Sequence, residues 1–223
     1  MKSLFSYGFE YKATEKKEII ICGIGNCRDE NLVIPRLNEN GLKIVGIADE
    51  AFIRCNKIKS VSLPKSVVFI GNSAFAWCPN LERIELNSVI SIDSRAFMGC
   101  DKLNQVNLGK NLSYIGEKAF AYCPNLNSIE IPKTALKIGA SAFEGCRSLV
   151  KANLPESLKL IENGVFYACT SLRQINLPKK LEYIDEYAFA YCVSINYIDI
   201  PQHTVINKDA FFECGINSLN KVS

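Results

Sequence analysis

The side chains in this sequence with the most chemistry to offer are its ten cysteines, and their spacing decides what they can do. Thiolates hold zinc only where several converge, usually starting from a C-x-x-C pair, and this chain contains no such pair. Eight of the ten recur singly at long intervals. The other two, Cys22 and Cys27, flank Gly23-Ile24-Gly25-Asn26 and read as part of an N-terminal hairpin, with a disulfide between them open only in an oxidising compartment. His203 is the only histidine, which excludes a His pair or a His-rich metal site. Gly23 and Gly25 form a G-x-G without the rest of a phosphate loop or dinucleotide fingerprint. No catalytic group, metal or cofactor is expected.

What positions these residues is a repeat. Phe52, Phe75, Phe97, Phe120, Phe143, Phe166, Phe189 and Phe211 follow one another every 22 or 23 residues. Each is followed three places later by a Cys and preceded five places earlier by an Ile. Such a period marks a solenoid. Within a unit, Ala74, Phe75 and Cys78 share one face of a single helical turn, with Asn72 or Ser73 available to cap it. Ile84 and Leu86 then alternate with Arg83, Glu85 and Asn87, as in a half-buried strand. Pro64, Pro132, Pro155, Pro178 and Pro201 close five such strands, where a missing N–H ends a ladder cheaply.

A single unit has one apolar edge and cannot bury its own Ile, Phe and Leu, so units must stack in register, about 4.8 Å apart. That spacing is wider than the roughly 3.8 Å between Cβ atoms of a disulfide, and a straight line of thiols cannot surround a tetrahedral ion. The eight repeat cysteines are therefore expected as buried free thiols behaving as small hydrophobes. The fold expected is a leucine-rich-repeat solenoid of the α/β horseshoe type, with a parallel sheet on the concave face and short helical turns and loops elsewhere. Residues 1–43 are expected as an N-terminal strand and cap region, 44–214 as eight stacked units, and 215–223 as a tail.

The stretch from Leu177 to Pro201 reads Leu-Pro-x-x-Leu-x-x-Ile-Asp-x-x-Ala-Phe-x-x-Cys-x-x-Ile-x-x-Ile-x-Ile-Pro. It resembles the BspA-like, or treponemal-type, leucine-rich repeat, and the resemblance extends over about residues 32 to 214. The segment from Phe9 through Ile19-Ile20-Ile21 to Ile34-Pro35 is similar to the leading part of such proteins. The resemblance implies a surface or secreted adhesion protein. Against that, the opening residues carry no apolar signal-peptide core, and no apolar run is long enough to span a membrane. A formal charge of +3, from 26 basic and 23 acidic residues interspersed, gives no footprint for nucleic acid.

Two surfaces remain as candidates. The outward strand positions form one continuous polar face, and the residues expected to contact a ligand there are Arg83, Glu85, Asn107, Glu130, Lys151, Asn153, Asn176, Tyr197 and Asp199. That face reads either as merely solvated or as a mildly acidic recognition surface. The second lies two places after each Phe, where Trp77, Tyr122 and Tyr191 alternate with small residues such as Gly99 and Gly145. Those aromatics read either as large-on-small packing or as an aromatic contact patch. A protein-interaction module is the function expected, with a protein ligand as partner. The alternative is a carbohydrate-binding or carbohydrate-active protein using Glu85 and Glu130, about 10 Å apart, near the upper end for inverting glycosidases. Side chains projecting in parallel from a shallow sheet lack the water-excluding cleft that such acid–base pairs need. The last unit, with Phe211, Phe212 and Ile216 near the chain end, is expected to be uncapped, and so either to make end-to-end contact with another copy or to belong to a longer native chain.

Overall fold

The computed structural model describes residues 5–216 and 220–222, and among these every regular element is a short β-strand. A hairpin opens the chain, with β1 (Glu10–Ala13) antiparallel to β2 (Ile19–Gly23). Two sets of strands then alternate. The Ile-x-Leu segments form β3 (Asn31–Val33), β5 (Ser60–Ser62), β7 (Arg83–Leu86), β9 (Gln105–Leu108), β11 (Ser128–Glu130), β13 (Lys151–Asn153), β15 (Gln174–Asn176), β17 (Asp199–Pro201) and β19 (Asn220–Val222). The other set is β4 (Ile44–Ile47), β6 (Phe69–Ile70), β8 (Ser91–Ile92), β10 (Tyr114–Ile115), β12 (Lys137–Ile138), β14 (Leu160–Ile161), β16 (Tyr183–Ile184) and β18 (Val205–Ile206).

Pairing within each set is parallel and joins repeat equivalents: Val61 with Ile84, Ile84 with Val106, Ile70 with Ile92. The molecule is thus a leucine-rich-repeat solenoid with the register the sequence columns require. Two details differ from expectation. The Ile five places before each Phe, expected only as a fixed point of register, ends a strand of a second parallel ladder. The parallel ladder also starts early, because β3, inside the region expected as cap, pairs with β5. Residues 217–219, in the expected tail, lie outside the described residues.

The Ala-Phe-x-x-Cys segment, expected as a helical turn, is not a helix in any described coil. Its backbone alternates between two kinds of partner. The amides of Ala74 and Ala76 close turns onto Gly71 and Ser73, while those of Ser73, Phe75 and Trp77 reach the carbonyls of Ser94, Ala96 and Met98 in the next coil at 2.7–3.0 Å. A helix would spend those amides within its own turn; a coil with a neighbour on each side bonds outward instead. The alternation needs left-handed residues on either side of the Phe, as at Ser73 (φ 52°) and Trp77 (φ 58°), Lys118 and Tyr122, and Tyr187 and Tyr191. Each such non-glycine residue costs about 1–2 kcal/mol, which the inter-coil bonds offset.

The interior is a set of columns. Phe52, Phe75, Phe97, Phe120, Phe143, Phe166, Phe189 and Phe211 stack with ring centroids 4.9–5.6 Å apart and planes within 13° of parallel. Phe9 closes the column at its N-terminal end, edge-on to Phe52 at 6.1 Å. At the other end Phe211 and Ile216 are half-buried, so of the three side chains expected at an open end only Phe212 is exposed.

All ten cysteines are free thiols. They do more than fill space: Sγ of Cys78, Cys100, Cys123, Cys146, Cys169 and Cys192 each donates to the Phe carbonyl of the preceding coil at 3.0–3.1 Å. A second bond thereby reaches a carbonyl that in several coils already accepts a turn amide, as Phe52 does from Cys55 at 3.1 Å. Burial pushes these thiols up, to about 12 for Cys78 and Cys146, so they are poor nucleophiles and poor metal ligands. Cys22 and Cys27 are not joined by a disulfide, and burial raises the thiol pKa of Cys27.

Candidate functional site

The outward face of β7 to β17 is polar because period-2 alternation turns Val61, Ile84, Ile129, Ala152 and Ile198 inward and leaves their neighbours outside. The ladder is interrupted twice on this face, since β9 is not paired with β11 nor β15 with β17. A hollow lies at each interruption. The first, about 500 Å³, spans β7, β9 and the start of β11 and includes Arg83, Glu85, Gln105, Asn107, Asn127 and Ser128. The second, about 930 Å³, spans β13, β15 and β17 and the loops after the last two.

Eight of the nine residues expected on the recognition face line one hollow or the other. Arg83, Glu85 and Asn107 belong to the first. Lys151, Asn153, Asn176, Tyr197 and Asp199 belong to the second. Glu130, exposed on β11, lines neither, so Glu85 and Glu130 are not brought into a common cleft. Sequence reasoning missed Arg173, Lys179, Gln202 and His203, which complete the second hollow. Arg173 stands one place before β15, and the other three sit in loops after β15 and β17. His203, the only histidine, is exposed and lines the hollow.

These additions alter the electrostatics. The outermost strand row carries Glu85, Glu130 and Asp199 and is mildly acidic, as expected. The larger hollow is not, because Lys151, Arg173 and Lys179 line it against the single carboxylate of Asp199. Tyr197, 58% exposed, donates its hydroxyl to that carboxylate, which fixes the ring beside the strand.

The aromatic positions behave differently. Trp77 lies flat over Gly99, where a Cβ would fall 2.2 Å from the ring, and Tyr122 covers Gly145. Large side chains thus occupy the space that glycines leave, and Gly99 and Gly145 themselves sit at positive φ. Tyr122 also donates to the Glu144 carboxylate, and this hydrogen bond, with some burial, raises its hydroxyl pKa. Tyr191 joins a separate group, edge-on to Tyr167 at 5.3 Å and to Phe212 at 5.6 Å. Among the described residues no three His, Cys, Asp or Glu side chains cluster as metal ligands would, and no helix is long and apolar enough to cross a membrane.

Comparison with known proteins gives this architecture a family. The sequence profile of the BspA type leucine rich repeat region matches residues 26–134 and 113–222, in six copies. Among solved structures, the chain is similar to a leucine rich repeat protein from T. pallidum, at 32% identity and a TM-score of 0.79, over 84% of this chain and 88% of that one. It also shares its fold with a leucine-rich repeat protein from Bacteroides ovatus, at 24% identity and a TM-score of 0.68, over 98% of this chain and 70% of that one. No curated protein compared with the chain matches it significantly. With the profile covering most of its length and the repeat columns stacked as described, the chain belongs to the BspA-type leucine-rich repeat family.

Proposed function

We propose that this chain is a non-enzymatic protein-interaction module that presents the outward face of the Ile-x-Leu sheet to a protein ligand, as in adhesion. The observation that carries the reading is the contrast between invariant columns inside and two differently lined hollows outside, on the same rigid strands. A stacked column fixes the outward residues with little conformational freedom left to lose on binding, which favours affinity. Glu85 and Glu130 stand exposed and in no shared cleft, which supports binding over hydrolysis of a glycan.

The test is capture of extracellular-matrix and cell-surface proteins by the chain and by a variant with charge reversals at Glu85, Glu130 and Asp199. A partner whose recovery differs between the two, in either direction, supports the reading. Equal recovery of every partner by both removes it. Hydrolysis of any glycan that Glu130→Gln abolishes would replace it with the carbohydrate-active alternative.

A further inference from the structure

We infer that the hollow over β13, β15 and β17 is the docking site for an acidic, extended segment of the partner protein, with an apolar or aromatic side chain seated at its centre. The inference rests on the interaction reading above and names the partner chemistry at one of its two hollows.

Charge is the first argument. Three lysines elsewhere on this solenoid pair with a Glu roughly one coil away: Lys59 with Glu30 at 2.6 Å, Lys159 with Glu182 at 2.7 Å and Lys137 with Glu162 at 3.1 Å. Lys151, Arg173 and Lys179 have no such partner among the described residues, and all three are exposed around one hollow. The strand neighbours of Lys151 are Ser128 and Gln174, neither charged. Glu156 does approach Lys179, but its carboxylate accepts from the backbone amide at 3.1 Å. Lys221, at the edge, bonds the carbonyls of Gln202 and Thr204 at 3.4 and 2.6 Å and adds to the positive field.

Shape is the second. Ile175 and Leu177 are half-buried in the floor, Ile198 and Pro201 are buried beneath, and Tyr197 stands 58% exposed as a wall. A volume of about 930 Å³ takes one large side chain and the backbone on either side of it. The cations are spread over two adjacent coils and a loop, about 5 Å per coil, so they match carboxylates spaced along a chain better than a single phosphate at one point. The smaller hollow provides the control. Arg83 and Glu85 both line it, among Asn, Gln and Ser, with no surplus charge and no aromatic wall.

The experiment uses the full chain and a fluorescent Glu-Asp-Tyr-Leu-Glu-Asp peptide read by anisotropy. Comparison probes are a Gln-Asn-Tyr-Leu-Gln-Asn peptide and a heparin-derived oligosaccharide. The acidic peptide should bind, weaken as salt is raised, and weaken about tenfold in the double variant Arg173→Glu, Lys179→Glu, while Lys57→Glu, at an exposed lysine that lines neither hollow, leaves it unchanged. Lys179→Gln should give a smaller loss, and unchanged thermal melts show that the variants fold. Absence of peptide binding overturns the inference, as does binding that the double variant does not weaken or that Lys57→Glu weakens equally. Tighter, Arg173-dependent binding of the oligosaccharide also overturns it in favour of an acidic glycan. If the peptide fails while the charge-reversal variant still loses its captured protein, only this inference falls and the interaction reading stands.

Discussion

The interior columns and the outward sheet face are built from the same strands, yet they differ in almost every respect. Inside, one residue type recurs coil after coil and each copy is held by the copies on either side: Phe120 by Phe97 and Phe143, Cys123 by the Phe97 carbonyl. Outside, Glu85, Asn107, Glu130, Asn153, Asn176 and Asp199 occupy equivalent places with different chemistry. The difference teaches where each kind of free energy resides. Repetition stores stability, because removing one member disturbs two interfaces; variation is confined to positions whose loss costs the fold little and can therefore serve recognition.

The largest effect that could break this contrast is a cavity in the column. Phe120→Ala should destabilise by about 3–5 kcal/mol, whereas Glu130→Gln should stay within about 0.5 kcal/mol, both read by urea denaturation. Comparable losses would show that inside and outside are not distinct. Next comes alkaline pH. The buried thiols titrate higher in the folded chain than their ordinary value of 9.0, reaching about 12 for Cys78 and Cys146, chiefly through desolvation. Their contribution is therefore fully present below pH 9.0 and is lost as pH rises toward the folded value. Each such thiol adds a slope of about 1.4 kcal/mol per pH unit in that window. Urea midpoints measured from about pH 8 to about pH 11 should fall steeply, and more shallowly in Cys123→Ala once its own loss of packing is subtracted.

Three smaller effects sharpen the comparison. Gly99 holds φ 70° beneath the Trp77 ring, so Gly99→Ala should cost about 1–2 kcal/mol and shift the emission of Trp77, the only tryptophan. Lys118→Gly, at a left-handed position already occupied by an L-residue, should instead be neutral or slightly stabilising in a thermal melt. Last, a thiol reagent at neutral pH should label Cys22, Cys55 and Cys214, the three partly exposed thiols, well before the seven buried ones. Rapid labelling of Cys123 would mean that the column opens in the native state.

Much of this was legible in advance, for an identifiable reason. A column of Phe at a fixed period has only one economical arrangement, so Phe75 above Phe52 could be read from spacing alone. The left-handed residues beside each Phe could not be read, because Ser73, Lys118 and Tyr187 carry no common side chain; glycine marks the position only at places such as Gly99 and Gly145. The larger hollow was half legible. Lys151, Asn176, Tyr197 and Asp199 followed from strand alternation, but Arg173, Lys179 and His203 lie at a strand end and in loops, where period-2 logic has lapsed.

The sequence by itself determined the period, the register and the identity of every interior column, since burial of Ile, Phe and Leu at a fixed spacing admits no other stacking. Only the tertiary structure decided which amides leave the turn for the next coil, what the thiols donate to, and where the outward sheet opens. Those outcomes depend on how one coil meets its neighbour: hydrogen bonds and charges act over a few ångströms between residues more than twenty positions apart, and that distance is set by the stack and not by the chain.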